Sequence, residues 1–304
     1  MSFTIESGII LLLMLAIVVS NVLILLVLFR TEMLSSVNSY FLTSLTVADL
    51  SIGVFIAPFS LIASIVDGWP FGEQFCHVEA YFSAIFWIAS VYSLTWLSID
   101  HYIGIRKPER YESLMTRMRC VCWVAFIWVA AFSFCCPPLF GVARARYYPA
   151  ARMCIIDWRL QKAYFITSGL LIIVPPLLAL AVSNLYMFTP SYDEKKAYFA
   201  QGAEASVRPE RYFSNFVVGV VFVVAWLPWC VLQLVEQLRL GERRASMDMD
   251  MVSGPGSPPA LHFFLMWLAV ANSFWKFVVY VLLDHDFRVG LKVLYTSVVC
   301  KWTR

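Results

Sequence analysis

Residues 261–283 read LHFFLMWLAVANSFWKFVVYVLL, an apolar run that contains one formally charged side chain, Lys276. A helix of about 20 mostly apolar residues crosses the ~30 Å hydrocarbon core of a membrane. Backbone N–H and C=O groups find no water at that depth, and a helix pairs them internally. The run therefore predicts a membrane-spanning helix that carries a lysine far from both membrane surfaces.

Six further apolar runs precede this one along the chain. The 304 residues are 61% hydrophobic and 14% charged, whereas about a quarter of the residues in soluble globular domains are charged. We expect an all-α fold, a single integral-membrane domain over residues 1–304 in which seven transmembrane helices form a bundle. The predicted spans are about 9–29, 39–65, 75–100, 118–141, 163–188, 212–238 and 261–283.

The distribution of Lys and Arg indicates the orientation of the bundle. The first run has no basic start, and we interpret it as a retained span rather than a cleaved signal peptide. With the N-terminus outside, fourteen of the 23 basic residues lie in cytoplasmic segments and eight in outer segments, and Lys276 is the remaining one. Cytoplasmic loops are usually the more basic ones. We therefore expect an extracellular N-terminus.

Asp49 is the second ionisable residue that lies far from either surface. Counting about 1.5 Å per residue, Lys276 is ~11 Å and Asp49 ~15 Å from the inner ends of their spans. An unpaired charge at such depth costs from ~2.5 to more than ~10 kcal/mol. We therefore predict an Asp49–Lys276 ion pair within a buried polar core. The alternative is that Lys276 extends toward the inner surface and Asp49 binds water. The predicted core also includes Asn21, Ser90 and Asn272.

Three of the eight cysteines have a predicted role. Cys76 and Cys154 lie in or beside loops that an outward N-terminus places in an oxidising compartment, where disulfides persist. A bond between them would tie the second outer loop to the top of the third span. Cys300, just beyond the last span, is a candidate for palmitoylation on the cytoplasmic side, with an unmodified thiol as the alternative.

The segment after Tyr280 predicts a short amphipathic helix, about 284–299, that lies on membrane lipids. Asp284 is its N-cap candidate. The Asp and Met alternation in loop 241–260 could suggest metal capture, but carboxylates on an exposed flexible loop are usually just solvated, and we expect neither a metal site nor a cofactor. We expect no nucleic-acid partner.

Several motifs agree in spacing with the predicted spans. They are Leu45-Thr46-Val47-Ala48-Asp49-Leu50, Asp100-His101-Tyr102, Trp128, Phe222 with Trp226-Leu227-Pro228, and Tyr280 followed by Phe287. Over nearly the whole chain this pattern resembles the rhodopsin-like (class A) G-protein-coupled receptors. Within that family, Asn272-Ser273-Phe274 and Trp267-Leu268-Ala269 look most like an orphan branch related to constitutively active, ligand-poor receptors.

The resemblance implies a plasma-membrane receptor, not an enzyme, that transmits an extracellular or constitutive signal to a heterotrimeric G protein. The resemblance does not name the ligand, which could be apolar or absent. The implied G-protein interface is Asp100, His101, Tyr102 and Tyr280, and the implied movable core is Phe222, Trp226 and Pro228.

The outer ends of the spans supply the candidate ligand pocket. Ser83 stands where amine receptors of the family carry an aspartate, and we therefore expect no classical monoamine ligand. The second outer loop could cover the mouth or act as a built-in agonist. Aromatic residues at this spacing also serve as ordinary packing. The pocket candidates are Glu79, Ser83, Trp87, Trp229, Gln233, His262 and Met266.

His101 departs from the family pattern, which has an arginine between the Asp and the Tyr. A histidine is shorter and titrates near pH 6.5, whereas an arginine stays charged. We expect His101 to abut the G-protein cavity and to weaken coupling or make it pH-sensitive, or else to be a tolerated change of little consequence.

Lys276-Phe277 is the second departure, because it replaces the family's Asn-Pro pair ahead of Tyr280. The family positions of Asp49, Ser90 and Asn272 surround an inhibitory sodium ion, and the Lys276 ammonium could replace that ion as a tethered cation. Opsins hold retinal on a lysine nearly two turns further out, a position that is Val270 here, which disfavours a retinal protein.

Two other classes of membrane protein stay open. A receptor-like decoy or scaffold with impaired G-protein coupling fits both departures. Buried Asp/Lys pairs also serve proton relays in transporters, although the sequence lacks the internal repeats typical of those folds.

Overall fold

The structure is a computed structural model that describes residues 3–30, 38–136, 144–156, 166–167, 169–188, 209–245 and 257–302. Six of the described helices are long and apolar enough to cross a membrane, and Gly169–Leu185 is a shorter apolar helix. The order of elements confirms the predicted helical bundle with a C-terminal helix. The spans, in chain order, are Phe3–Arg30, Asn38–Phe55 with Ala57–Ile65, Glu73–Arg106, Arg117–Cys135, Gly169–Ile173 with Val174–Phe188, Pro209–Ala245 and Pro259–Leu283.

Several predicted bounds were too short. The third span continues from the predicted end at 100 to Arg106, because the first helix breaker is Pro108, which disfavours helical geometry at Lys107. The first and sixth spans begin and end beyond the predicted 9–29 and 212–238. Residues 137–141, predicted to end the fourth span, and 163–165, predicted to begin the fifth, lie outside the described residues.

The second span covers Ser39–Ile65, as predicted, but it consists of two helices joined at Ile56, a break that was not predicted. Pro58 has no N–H and cannot bond the carbonyl four residues earlier, and so it interrupts the ladder of backbone hydrogen bonds. The helix resumes with Ser60 N donating to Ile56 O at 3.2 Å. Asp49 lies on the inner segment of this broken span.

Two consecutive prolines shape the fifth span. Pro175 and Pro176 lack the N–H groups that would bond Leu171 O in an α-helix or in a π-helix, and the preceding turn is the π-helix Gly169–Ile173. Tyr92 on the third span donates its hydroxyl to Leu171 O at 3.0 Å. The third span therefore satisfies a carbonyl that the fifth span cannot pair by itself.

The segment between the fourth and fifth spans, on the side predicted to be extracellular, contains an antiparallel β-hairpin that the all-α prediction did not include. Strand β1, Ala145–Tyr148, pairs with strand β2, Met153–Ile156, in the register Tyr148↔Met153. We call residues 144–156 the outer hairpin. A disulfide joins Cys154 of β2 to Cys76 near the start of the third span, as expected. The bond fixes the hairpin across the outer end of the bundle.

Two helices lie outside the spans on the side of the predicted cytoplasm. The short helix Pro108–Leu114, which the sequence did not predict, follows the third span. The C-terminal helix His285–Trp302 matches the predicted amphipathic helix. As predicted, Asp284 caps it, because its Oδ1 accepts a hydrogen bond from Phe287 N at 3.0 Å.

Candidate functional site

The buried polar core centres on two charged side chains. Lys276 Nζ contacts Asp49 Oδ2, and each side chain is 2% exposed. Lys276 Nζ also lies 3.5 Å from the Leu45 carbonyl oxygen, one turn before Asp49. Burial of opposite charges is tolerated when each has a partner and further hydrogen bonds. The structure therefore places an ion pair between the second and seventh spans, where the depth of the two residues predicted it.

Hydroxyl groups on the third and seventh spans complete the carboxylate's contacts. Asp49 Oδ1 accepts hydrogen bonds from Ser90 Oγ at 2.8 Å and from Ser273 Oγ at 3.2 Å. Asn21 Nδ2 on the first span donates to the Ser273 carbonyl at 3.0 Å. Both Asp49 oxygens therefore have partners, supplied by the third and seventh spans, and the first span joins the group through the Ser273 carbonyl. Among the residues predicted for this core, Asn272 instead lines the adjacent cavity.

That cavity, about 30 Å³ in volume, extends outward from the polar core. Sites for drug-sized ligands are usually ~300–1,000 Å³, and this volume suffices for about two water molecules. Three of the predicted pocket residues line it. The lining comprises Asp49, Ile52, Ser83, Trp87, Ser90, Met153, Trp226, Met266, Ala269, Val270, Asn272 and Ser273.

Met153 of the outer hairpin lines the same cavity as Asp49, and it is 2% exposed. Two polar contacts hold the hairpin against the seventh span. Tyr148 Oη lies 2.8 Å from His262 Nδ1, and Trp267 Nε1 donates to Ala151 O at 3.0 Å. The chain's own outer segment therefore occupies the mouth of the bundle.

Two predicted pocket residues bind the hairpin rather than line the cavity. Glu79 Oε2 accepts a hydrogen bond from Cys154 N at 3.0 Å, and Glu79 is 3% exposed. His262, which is fully buried, lies between Tyr148 and Glu236, whose Oε1 is 3.0 Å from His262 Nε2. Trp229 meets the same imidazole edge-on. Gln233, one turn beyond, is half-buried and absent from the cavity lining.

Arg152 fastens the tip of the hairpin to two other elements. It has φ 60°, in the left-handed region, and bonds Glu6 on the first span at 2.8 Å and Asp67 after the second span at 2.5 Å. Burial alone would lower the pKa of the Arg152 guanidinium, but its hydrogen bonds to Asp67 and Glu6 raise that pKa above its usual value. The guanidinium stays charged and acts as a clamp.

Replacing Arg152 by alanine should loosen the hairpin. We expect the free energy of unfolding to fall by about 1–3 kcal/mol, because the pair with the exposed Asp67 is weak but the Glu6 carboxylate, only 11% exposed, would lose its partner. We expect amide exchange across residues 145–156 to rise together with this loss. Thermal unfolding and hydrogen exchange in lipid nanodiscs measure the two effects. Arg144→Ala on the same loop, where the side chain is exposed, is the matched control, and equal effects of both variants would contradict the clamp.

The predicted movable core lies beneath the cavity. The Trp87 and Trp226 rings are 4.6 Å apart between centroids, and the Phe222 ring lies 6.2 Å from that of Trp226. Pro228 stands within the sixth span, where it removes one backbone donor and allows a bend. A group that moves within the cavity would therefore press on the Trp87 and Trp226 rings and, through Trp226, on the sixth span.

The inner ends of three spans meet around Asn215. Its Nδ2 lies 3.1 Å from His101 Nδ1 and 3.2 Å from His101 Nε2, and its Oδ1 accepts a hydrogen bond from Tyr280 Oη at 2.7 Å. His101 is 1% exposed. The predicted interface residues His101 and Tyr280 are therefore brought together, through a residue that the sequence did not single out.

Two other predicted interface residues flank this group. Asp100 is fully buried, and its Oδ1 accepts a hydrogen bond from Tyr111 Oη in the short inner helix at 3.0 Å. Tyr102 is half-buried. Cys300 lies within the C-terminal helix, and its side chain is outside the described part of the chain.

Sequence reasoning missed several contributors to these groups. Ser273 was quoted only as part of a motif, although it lies three residues from Lys276. Asn215 could have been found, because it is an amide within the apolar sixth span, where polar side chains seek partners. Nothing in the sequence marked Met153, Tyr148 or Tyr111, because their positions depend on how loops fold back onto the bundle.

The chain is similar in sequence to a known family of membrane receptors. The family described as "7 transmembrane receptor (rhodopsin family)" matches residues 20–280. The chain is 25% identical to the human histamine H2 receptor over 91% of this chain and 76% of that protein. It is 27% identical to mouse G-protein coupled receptor 52, over 86% and 74% of the two chains. It is 24% identical to the mouse melatonin receptor type 1A, over 92% and 77%. The chain belongs to the rhodopsin family of seven-transmembrane receptors.

Proposed function

We propose that the chain is a plasma-membrane receptor with an extracellular N-terminus that signals to a heterotrimeric G protein without an added ligand. The observation that carries this proposal is the outer hairpin, whose buried Met153 lines a cavity of about 30 Å³ next to the polar core. The match to a receptor family supports the coupling partner. The class of G protein stays open.

The hairpin would act as a tethered occupant of the outer site. A ligand shifts a two-state protein only through its different affinity for the two states. A segment held by a disulfide to Cys76 and by a hydrogen bond to Trp267 needs no binding step, because its local concentration is fixed. Contact of Met153 with the cavity above Trp226 would then bias the sixth span.

Classical monoamines fit this site poorly. The described cavity has Ser83 at the position where the family's amine receptors carry an aspartate. The carboxylate that does reach the cavity, Asp49, is already neutralised by Lys276. The resemblance to a histamine receptor therefore supports the receptor fold, and we do not extend the amine ligand to this chain.

Ligand-free second-messenger output tests the proposal. We expect cells that express the chain to have cAMP or inositol-phosphate levels above those of mock-transfected cells, and His101→Arg at equal surface density to raise them further. We expect Met153→Gly to lower the output roughly fivefold or more, within the usual range of coupling between sites. Output equal to mock for the unmodified chain and for His101→Arg would contradict coupling. Unchanged output in Met153→Gly would contradict the tethered occupant.

A receptor-like decoy or scaffold is the second candidate, and one observation favours it. His101 is buried against Asn215, where the family's arginine would meet the G protein. In that case the unmodified chain would be silent at the cell surface, and His101→Arg would restore the signal.

A further inference from the structure

Asn215 bonds to both of its neighbouring spans with one short amide group. The carbonyl oxygen accepts from Tyr280 Oη on the seventh span at 2.7 Å. The amide nitrogen lies within hydrogen-bond distance of both ring nitrogens of His101 on the third span. Asn215 itself is 4% exposed, and His101 and Tyr280 are 1% and 2% exposed. A single side chain thus joins the third, sixth and seventh spans.

We call the contacts of Asn215 with His101 and Tyr280 the Asn215 bridge. The two ends of the amide have different hydrogen-bonding roles in it. An amide has a separate donor end and acceptor end, and a tyrosine hydroxyl can donate to the acceptor end while the donor end serves an imidazole lone pair. A neutral imidazole offers one such lone pair, whereas an arginine offers none. A neutral His101 side chain can therefore accept a hydrogen bond from the Asn215 amide, whereas an arginine side chain at this position could not. His101, which departs from the family pattern, and Asn215 therefore form one hydrogen-bonded group.

We propose that Asn215 is a positioning residue that holds the inner ends of the third, sixth and seventh spans together and opposes G-protein engagement. The inference rests on the proposed function. Moving the inner end of the sixth span outward would carry Asn215 away from both partners at once. Each buried polar group would then lose this partner, which makes the closed arrangement the favoured one.

Two variants separate the arms of the bridge. Asn215→Leu keeps the number and branching of the side-chain heavy atoms and removes both hydrogen bonds, while Tyr280→Phe removes the Tyr280 bond and leaves the contact between Asn215 and His101. Asn184→Leu is the matched control, because Asn184 is a buried asparagine on the fifth span, 7% exposed, whose Oδ1 accepts no hydrogen bond in the described part of the chain.

A distance measurement reports on the bridge without any G protein. Spin labels at Met118 and Phe213, exposed positions near the inner ends of the fourth and sixth spans, are placed in a background that keeps only Cys76 and Cys154 as cysteines. We expect Asn215→Leu in nanodiscs to raise the longer-distance population roughly tenfold, because two hydrogen bonds of ordinary strength are lost. We expect Tyr280→Phe to raise it less, and Asn184→Leu to leave it unchanged.

The same variants are assayed for ligand-free second-messenger output at equal surface density. Higher output with Asn215→Leu, together with the longer distances, supports the bridge. If no variant signals but Asn215→Leu still lengthens the distance, the proposed function fails and the bridge stands. If Asn215→Leu lowers thermal stability while its distance distribution matches that of the unmodified chain, the residue is merely structural and the bridge is overturned.

Discussion

Replacing Lys276 by methionine is expected to lower the free energy of unfolding by about 3–5 kcal/mol, the usual cost of removing one partner of a buried ion pair. The Asp49 carboxylate would keep its hydrogen bonds from Ser90 and Ser273. It would lose the positive charge of Lys276, although the Asp49 side chain is only 2% exposed to solvent. Asp49→Asn should have a similar cost, because it leaves the ammonium buried beside a neutral amide. Thermal unfolding in nanodiscs and surface expression measure both losses.

The double variant separates pairing from independent effects. Asp49→Asn with Lys276→Met removes both charges, and we expect it to recover most of the stability, since removing both partners is often nearly neutral. Thr46→Val is the matched control, because within the described part of the chain the buried Thr46 hydroxyl bonds only its own helix, at Leu42 O. If the double variant lost as much free energy of unfolding as the two single variants together, the ion pair would be ruled out.

Breaking the disulfide is the change with the second largest expected effect. The Cys76–Cys154 bond closes a loop with a sequence separation of 78. Loops of this length lose about 4–5 kcal/mol of chain entropy in the unfolded state, and measured costs of removing a native disulfide run from about 2 to 5 kcal/mol. We expect Cys154→Ala to fall in this range, and to release Met153 from the cavity.

Thermal unfolding with and without a reductant measures this loss. Cys135→Ala is the control, because Cys135 is a free thiol that is buried to the same degree as Cys76. We expect the reductant to destabilise the unmodified chain and Cys135→Ala equally and to have no effect on Cys154→Ala. A reductant effect that persists in Cys154→Ala would contradict this assignment. If Cys154→Ala lost stability but kept its ligand-free output, the disulfide would be structural and the proposed signalling role of the hairpin would be contradicted.

The sequence was sufficient for the bundle and for the charged centre of the candidate site. Apolar runs set the spans because lipid forces the backbone into helices. Asp49 and Lys276 could be paired because regular helices convert residue counts into depth, and because a buried charge needs a partner. The same counting placed Ser90 beside them.

The rest depended on breaks in that regularity. Pro58 divides the second span at Ile56, and the prolines of the fifth span leave Leu171 O to be bonded by Tyr92. The outer hairpin reaches the cavity through a fold of the chain that periodicity does not encode. Asn215 meets His101 and Tyr280 across 114 and 65 residues of sequence. Contacts of that kind arise from the packing of whole helices, and neither spacing nor propensity predicts them.

The central claim is that the chain activates a G protein while its own hairpin fills the outer site. The most direct measurement is nucleotide exchange by a panel of purified heterotrimeric G proteins, with the purified chain in nanodiscs and no ligand. We expect nucleotide exchange above that of empty nanodiscs for at least one G protein. We expect the exchange rate to fall with Met153→Gly and to rise with Asn215→Leu. Exchange equal to that of empty nanodiscs for the unmodified chain, His101→Arg and Asn215→Leu alike would contradict it.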